Sequence, residues 1–380
     1  MEFSLPREAS CPLFDDRPTP YIEVNALRLQ RNLAQMQHKA NQAGVALRPH
    51  IKTHKSVYIA QQQIALGAQG VTASKPSEAQ VFLRSGIRDI LVAYPIVTAS
   101  TLQPLLEEAR RYQAQLTLIV ATQGSVAAIA EALRVTPNDR VRVAIKVDVG
   151  LHRIGVNPEG HEALELLDAL NTHHIPFAGL VAHAGHAYGA GAPDAIAQIA
   201  QQEAATLLAL RERILAQGAS ECPLSVGSTP TALAAPVAAG VNEIRPGNYA
   251  LLDLTAWRLG LCQPNELAMS VTTRVVSVNA HYIIVDAGSK MLSSDKGPHG
   301  TNASGFGIAM DANGNQWEVA KLSEEHGFLN LSGVTPEPGS LLRIYPNHSC
   351  AVMAQSNSYV LREEDGNSQL MLIDARGQFI

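Results

Sequence analysis

The residues best equipped for chemistry begin with the octet Arg48-Pro49-His50-Ile51-Lys52-Thr53-His54-Lys55, which closes an apolar run starting at Val45 and precedes a helical pattern from about Val57. A lysine where a strand runs into a helix is exposed enough to react and flanked by a core able to desolvate it. Burial lowers a lysine pKa and frees the amine to act as nucleophile or base. Taken alone, the octet fits solvated loop lysines, two of the chain's 29 Lys and Arg residues, better than a reactive site. A second candidate is His348 with Cys350, in Asn347-His348-Ser349-Cys350 after the apolar run 341–345. Two apart on extended backbone, they would point the same way and could share one soft or borderline metal such as zinc, leaving positions open for water or substrate. A buried thiol beside a surface imidazole accounts for the same spacing, and spacing alone favours it. Two further stretches suit an anion such as phosphate: Gly227-Ser228-Thr229-Pro230-Thr231, at an expected helix start, and the turn Pro246-Gly247-Asn248. Each is equally an ordinary N-cap or turn.

Elements must bring these residues together. After a short strand at 19–25 and a helix at 26–43, eight apolar runs (45–52, 70–74, 89–94, 116–121, 140–147, 176–183, 223–227, 243–246) alternate with amphipathic stretches, clearest at 77–85, 101–111, 126–133, 162–170 and 192–217. That rhythm predicts a (β/α)8 TIM-type barrel over residues 18–255. A doubly wound sheet is the competitor, and no Gly-x-Gly-x-x-Gly follows the first strand. Beyond 255 the helical patterns stop and strand-like alternation with frequent Gly, Pro, Asn and Asp predicts a mainly β domain over 256–380, which residues 1–17 would join. Barrel active sites lie where strands end. Those ends carry Lys52, Tyr94, Asp148 with Arg153 beyond it, His183 with His186 and Tyr188, Ser228 and Thr229, and Arg245 to Asn248. Individually each could be structural; their joint placement makes a chemically capable rim.

Composition narrows the class. With 46% hydrophobic and 17% charged residues, the chain is expected to bury a sizeable core. A net charge of −5 with no basic block argues against nucleic acid, and no apolar run reaches membrane-spanning length. Residues 1–16 lack the apolar core of a signal peptide, and Cys11, Cys222, Cys262 and Cys350 are too scattered for a disulfide framework. A cytoplasmic protein with reduced thiols is expected.

In combination these motifs carry a resemblance. Arg48 to Lys55, Ala93-Tyr94-Pro95, Asp148 to Val156, His183-Ala184-Gly185-His186-Ala187-Tyr188, Gly227 to Thr231, Arg245-Pro246-Gly247, Asp286-Ala287-Gly288-Ser289-Lys290, Glu324-Glu325-His326-Gly327 and His348-Ser349-Cys350 follow one another in an order spanning nearly the whole chain. In that order the chain resembles the fold-type III pyridoxal-phosphate enzymes, the alanine racemase-like family, in its branch of D-serine dehydratases, D-threonine aldolases and D-3-hydroxyaspartate dehydratases and aldolases. The resemblance implies pyridoxal 5'-phosphate linked to Lys52 as a Schiff base. Arg153 would lie near its phenolic oxygen, His183 against its ring, and Arg245 near the ring nitrogen or supporting His183. Tyr188 would also contact the cofactor, while Ser228, Thr229, Gly247 and Asn248 would hold the phosphate. His348 and Cys350 would hold a divalent metal, Zn, Mn, Mg or Co.

The implied reaction is conversion of a 3-hydroxy D-amino acid, most of all D-threo-3-hydroxyaspartate, to a 2-oxo acid (oxaloacetate) and ammonia, by a homodimer. Within the family the dehydratases look like His-x-Cys and the aldolases more often like His-x-Asp, so Cys350 leans toward dehydration. Alternatives are D-serine dehydration to pyruvate, metal-activated cleavage of D-threonine or D-3-hydroxyaspartate, or a non-catalytic pyridoxal-phosphate homeostasis protein. The last is typically the barrel alone, so the extra β domain argues against it.

Overall fold

A computed structural model describes residues 17–297 and 303–380; residues 1–16, including Cys11 and most of the segment expected to join the second domain, lie outside this description. The described chain opens with strand β1 (Tyr21–Asn25) and helix α1 (Ala26–Gln42). Eight strands follow: β2 (Ala46–Leu47), β3 (Val71–Ala73), β4 (Asp89–Val92), β5 (Gln115–Val120), β6 (Val141–Lys146), β7 (Phe177–Val181), β8 (Leu224–Val226) and β9 (Glu243–Ile244). Between them run α2 (Val57–Leu66), α3 (Pro76–Arg84), α4 (Ala99–Arg111), α5 (Gln123–Val135), α6 (Glu162–Thr172), α7 (Pro193–Ala216) and α8 (Thr229–Ala234). All eight strands are parallel, in the order β2-β9-β8-β7-β6-β5-β4-β3.

A parallel bridge between His50 and Thr72, with Ile51 N donating to Thr72 O at 2.9 Å and Thr72 N to Pro49 O at 2.8 Å, joins the two ends. The result is the expected (β/α)8 barrel. Its first strand is shorter than expected because Pro49 has no N–H to give a ladder, so Lys52 sits in the turn just past the strand. Helices bury one stripe each; α4 sets Leu102, Leu105, Leu106 and Ala109 inward at the three- and four-residue spacing of a helix face.

Arg48, 1% exposed, ties the barrel below its mouth. Its Nε donates to Glu243 at 2.6 Å and its two terminal nitrogens to Asp89 at 2.7 and 3.1 Å, linking β2, β9 and β4. Gly70 leaves room for this arginine, since a Cβ there would meet Arg48 Nη1 at 2.5 Å and Asp89 O at 2.3 Å.

The second sheet contains β10 (Met269–Val278), β11 (Tyr282–Val285), β12 (Gly307–Met310), β13 (Gln316–Leu322), β14 (Gly327–Asn330), β15 (Leu341–Pro346), β16 (Ser358–Arg362) and β17 (Ser368–Leu372), with short helices α9 (Leu254–Arg258), α10 (Ser289–Leu292) and α11 (Ser349–Met353). Its order is β11-β14-β13-β12-β15-β10-β1-β16-β17, and β10 also pairs with β11. Strands β10 to β15 therefore close on themselves. An irregularity between Val275 and Ser277 bends β10 so that its first half pairs with β1 and β15 and its second half with β11.

Strand β1, which the boundary at residue 18 would place in the barrel, pairs instead with β10 and β16. The buried Glu23 on β1 holds it there, accepting from Arg343 at 2.6 Å and Arg362 at 2.8 Å. The chain divides into two compact units. One comprises residues 36–52, 57–247 and 377–380; the other comprises the described residues up to 35, with 53–56 and those within 248–376. Among the described residues no helix is long and apolar enough to cross a membrane, and Cys222, Cys262 and Cys350 form no disulfide with one another.

Candidate active site

The strand ends of the barrel enclose a cavity of about 260 Å³. Its wall includes Lys52 after β2, Lys75 after β3, Tyr94 after β4, Lys146 at the end of β6, Arg153, His183 after β7, Gly227 after β8 and Arg245 after β9. Leu91, Ile119, Ala144 and Val181, from four neighbouring strands, pack as one buried layer, and Ile119 and Val181 reach the cavity as its apolar floor. Five of the lining side chains are lysine or arginine and none is a carboxylate, so the field inside favours an anionic guest.

Each basic residue is positioned by local chemistry. Lys52 lies in the turn after His50, its N–H directed at His50 Nδ1 at 3.4 Å. His183 Nδ1 sits 3.3 Å from Gly227 O; in the neutral ring that nitrogen carries the hydrogen and Nε2 is left as an acceptor. Desolvation, then the charges of Lys52, Lys146 and Arg153, hold the His183 pKa well below the ordinary imidazole value, so the neutral ring is the stable form.

Arg245 donates to Ser225 Oγ and to Ala182 O, and Ser225 passes its own hydrogen to Glu243 at 2.5 Å. Its guanidinium is thus fixed beside the backbone that carries His183. Arg153 is presented by a tight turn: Asp148 Oδ1 accepts from Gly150 N and His152 N, both at 3.0 Å, and Gly155 adopts φ +142° where a Cβ would strike Asp148 N at 2.3 Å. The glycines and the aspartate of the Asp148–Gly155 motif therefore shape the loop that carries the arginine.

Thr229 and Gly247 join the two loops expected to bind phosphate, Gly247 N donating to Thr229 Oγ1 at 3.2 Å. Ser228 caps α8 in a reciprocal box with Thr231. This helix is only six residues long, so the expected dipole contribution is small and the loop's N–H and hydroxyl groups matter more. The side chain of Asn248 is committed elsewhere: Nδ2 donates to Asp253 at 2.7 Å and Oδ1 accepts from Ser349 at 2.5 Å. Tyr188 lies on a 3-10 turn, Gly185–Gly189, and is not among the cavity-lining residues.

His348 and Cys350 are close together, though not both on the extended backbone expected. His348 keeps extended backbone as the N-cap of α11, but Cys350 already lies in the helix's first turn, where Asp253 Oδ2 accepts Ser349 N at 3.0 Å. The Cys350 sulfur lies within hydrogen-bond reach of the imidazole and also donates to Thr53 Oγ1 at 3.2 Å. Although burial opposes it, Cys350 and Asp295 raise the His348 pKa. A soft sulfur and an imidazole held side by side suit a borderline divalent metal. Among the described residues no group of three or more His, Cys, Asp or Glu side chains converges.

Sequence reasoning missed Lys75 and Lys146 in the cavity wall and the buried Glu203 behind it. Burial, then repulsion from Arg245, pushes Lys146 down to about 7, against the opposing pull of Glu203. Glu203 on α7 is 2% exposed, and its Oε1 accepts from Ala184 N at 3.0 Å and Gly227 N at 3.4 Å. Burial raises its pKa against the combined effect of these N–H groups, Arg245 and Lys146. A signal existed: Glu203 falls in the apolar stripe of Ile196, Leu207, Leu210 and Ile214, where a solvated carboxylate has no place. A lysine, a neutral histidine and fixed arginines around an anion-favouring cavity fit pyridoxal phosphate.

Comparison with known proteins agrees. Residues 24–253 match the family model for the alanine racemase N-terminal domain, and residues 268–362 that for a putative serine dehydratase domain. The chain is 35% identical to D-threo-3-hydroxyaspartate dehydratase of Delftia sp. (strain HT23), covering 92% of this chain and 96% of that one. It is 28% identical to D-serine dehydratase of Dictyostelium discoideum, covering 91% and 94%. The solved structure of the Delftia dehydratase superposes with a TM-score of 0.87 at 34% identity, over 94% of this chain and 97% of that one. This chain belongs to the alanine racemase-like family, in the group that joins the racemase-type barrel to a serine dehydratase-type domain.

Proposed function

We propose that this protein is a lyase dependent on pyridoxal 5'-phosphate and a divalent metal that converts D-threo-3-hydroxyaspartate to oxaloacetate and ammonia. The observation that carries the reading is the convergence of Lys52, Arg153, His183 and Arg245 on one cavity at the strand ends. Its similarity to the Delftia dehydratase supports the substrate, and a cysteine-to-alanine mutant of that enzyme is described in a metal-free form, which supports a metal.

When bound, the cofactor supplies an electron sink for the Cα carbanion and the metal a Lewis acid for the departing 3-hydroxyl. The chain's own residues do the rest. Lys52 Nζ would hold the cofactor, and its amine is the base that would accept the α-proton of the substrate. Arg245, locked by Ser225 and Ala182, holds its charge beside His183. His183 stays neutral, offering Nε2 as an acceptor. The Ser228–Thr229 and Gly247 loops bind phosphate, with Asn248 contributing through its backbone because its side chain is occupied. His348 and Cys350 hold the metal. Loss of water followed by hydrolysis of the resulting enamine balances to the 2-oxo acid and ammonia.

D-Serine should be a poorer substrate, since it leaves the partners of the second carboxylate unpaired. The enzyme works as a cytoplasmic homodimer, which sedimentation and cell fractionation test. Incubating the holoenzyme with D-threo-3-hydroxyaspartate should yield oxaloacetate and ammonia. Glyoxylate and glycine would identify an aldolase instead, pyruvate from D-serine alone a serine dehydratase, and no product from any 3-hydroxy D-amino acid would remove the enzymatic reading.

A further inference from the structure

We propose that Asp295 is a positioning residue for the metal, acting through the imidazole of His348. The inference rests on the reading of His348 and Cys350 as the protein's metal ligands. His348 Nδ1 lies 2.6 Å from Asp295 Oδ2, a length typical of a strong, charge-assisted contact. The carboxylate is itself held: Asp295 Oδ1 accepts from Gly297 N at 2.9 Å, and Asp295 N donates to Ser293 Oγ at 3.2 Å. A small turn thus aims one oxygen at the ring while the other closes the turn.

The backbone of His348 is fixed independently, through Ser349 N and Asp253. With backbone and Nδ1 both anchored, the ring has one orientation and one tautomer, hydrogen on Nδ1, and Nε2 is the atom left to bind a metal. The carboxylate also makes that nitrogen a better donor to the ion. Its contact is with Nδ1, which places Asp295 behind the ring, on the nitrogen opposite the one left for the metal.

A carboxylate in this position changes metal affinity, whereas an ion pair that only braces the fold changes melting temperature alone. The test is zinc affinity of the cofactor-loaded full chain, measured by competition with a chromogenic chelator, for the wild type, H348A, D295N and D295A. The expected order is wild type, D295N, D295A, with D295A weaker by about 10- to 100-fold and cofactor content unchanged. D295N is isosteric and keeps an acceptor oxygen, so it carries the test if D295A does not fold. Zinc affinities of both Asp295 variants within twofold of wild type, with H348A clearly weakened, would overturn this inference and leave the ligand reading standing. If H348A binds zinc as tightly as wild type, both are wrong.

Discussion

Replacing Glu203 by alanine should damage the cofactor site from behind. Its Oε1 is the shared acceptor for Ala184 N and Gly227 N, one residue away from His183 and from Ser228 respectively. An unsatisfied buried N–H costs about 1–3 kcal/mol. The 3.0 Å bond counts near the middle of that range and the 3.4 Å bond near its lower end, giving a loss of about 3 kcal/mol. Removing the carboxylate also takes a counter-charge from Arg245 and Lys146, which adds to the loss.

Glu203→Gln keeps an acceptor oxygen and should recover the hydrogen-bond share but not the charge. The strain falls on the two loops that carry His183 and Gly227 to the cavity, so under the proposed function part of it should appear as weaker cofactor binding, about tenfold for each 1.4 kcal/mol. Urea unfolding and fluorescence titration of the apoprotein with pyridoxal phosphate measure both quantities. If the alanine variant matches the wild type within about 0.5 kcal/mol and binds cofactor equally well, Glu203 does not bracket these loops.

Chelation by EDTA should inactivate the enzyme reversibly, with activity returning on addition of zinc or manganese; an unaffected enzyme would remove the metal's role. Glu243 carries a pH signature. Burial opposes its charge, but Arg48 and Arg245 outweigh that and hold its pKa below the ordinary value. Its contribution to stability is therefore full above the unfolded value, about 4.3, and disappears as pH falls through the lower folded value. Glu243→Gln should be less stable than wild type at neutral pH, and the gap should close in acid; a constant gap would contradict the assignment. Glu23→Gln removes the carboxylate shared by two buried arginines and should cost about 3–5 kcal/mol in urea unfolding. A change under about 1 kcal/mol would show that Arg343 and Arg362 find adequate partners without it.

The barrel was legible because its determinants are local. Each strand is a short apolar run bounded by turn residues, and each helix has its own buried stripe, so the eight strand ends and most of the residues around the cavity could be located in one dimension. Lys52, His183 and Arg245 follow from that alone. Features that depend on distant partners were not legible. Strand β1 has the same pattern whichever sheet it joins, and its place is decided by Arg343 and Arg362, far along the chain. The extended backbone expected at 348–350 holds at His348 but gives way to a helix from Ser349, whose N–H Asp253 accepts. Asn248 has the composition of an anion-binding turn, yet its amide serves Asp253 and Ser349. Asp295 and Glu203 acquire meaning only through the groups that the fold brings to them.

The central claim is that Lys52 carries the cofactor for β-elimination from a 3-hydroxy D-amino acid. The most direct measurement compares wild type with Lys52→Ala on D-threo-3-hydroxyaspartate, following oxaloacetate, ammonia and the cofactor's visible absorbance together. The account predicts equal amounts of oxaloacetate and ammonia from the wild type, and from the variant neither product nor the absorbance of lysine-linked cofactor. Full activity in Lys52→Ala, or glyoxylate and glycine in place of oxaloacetate and ammonia, would contradict it.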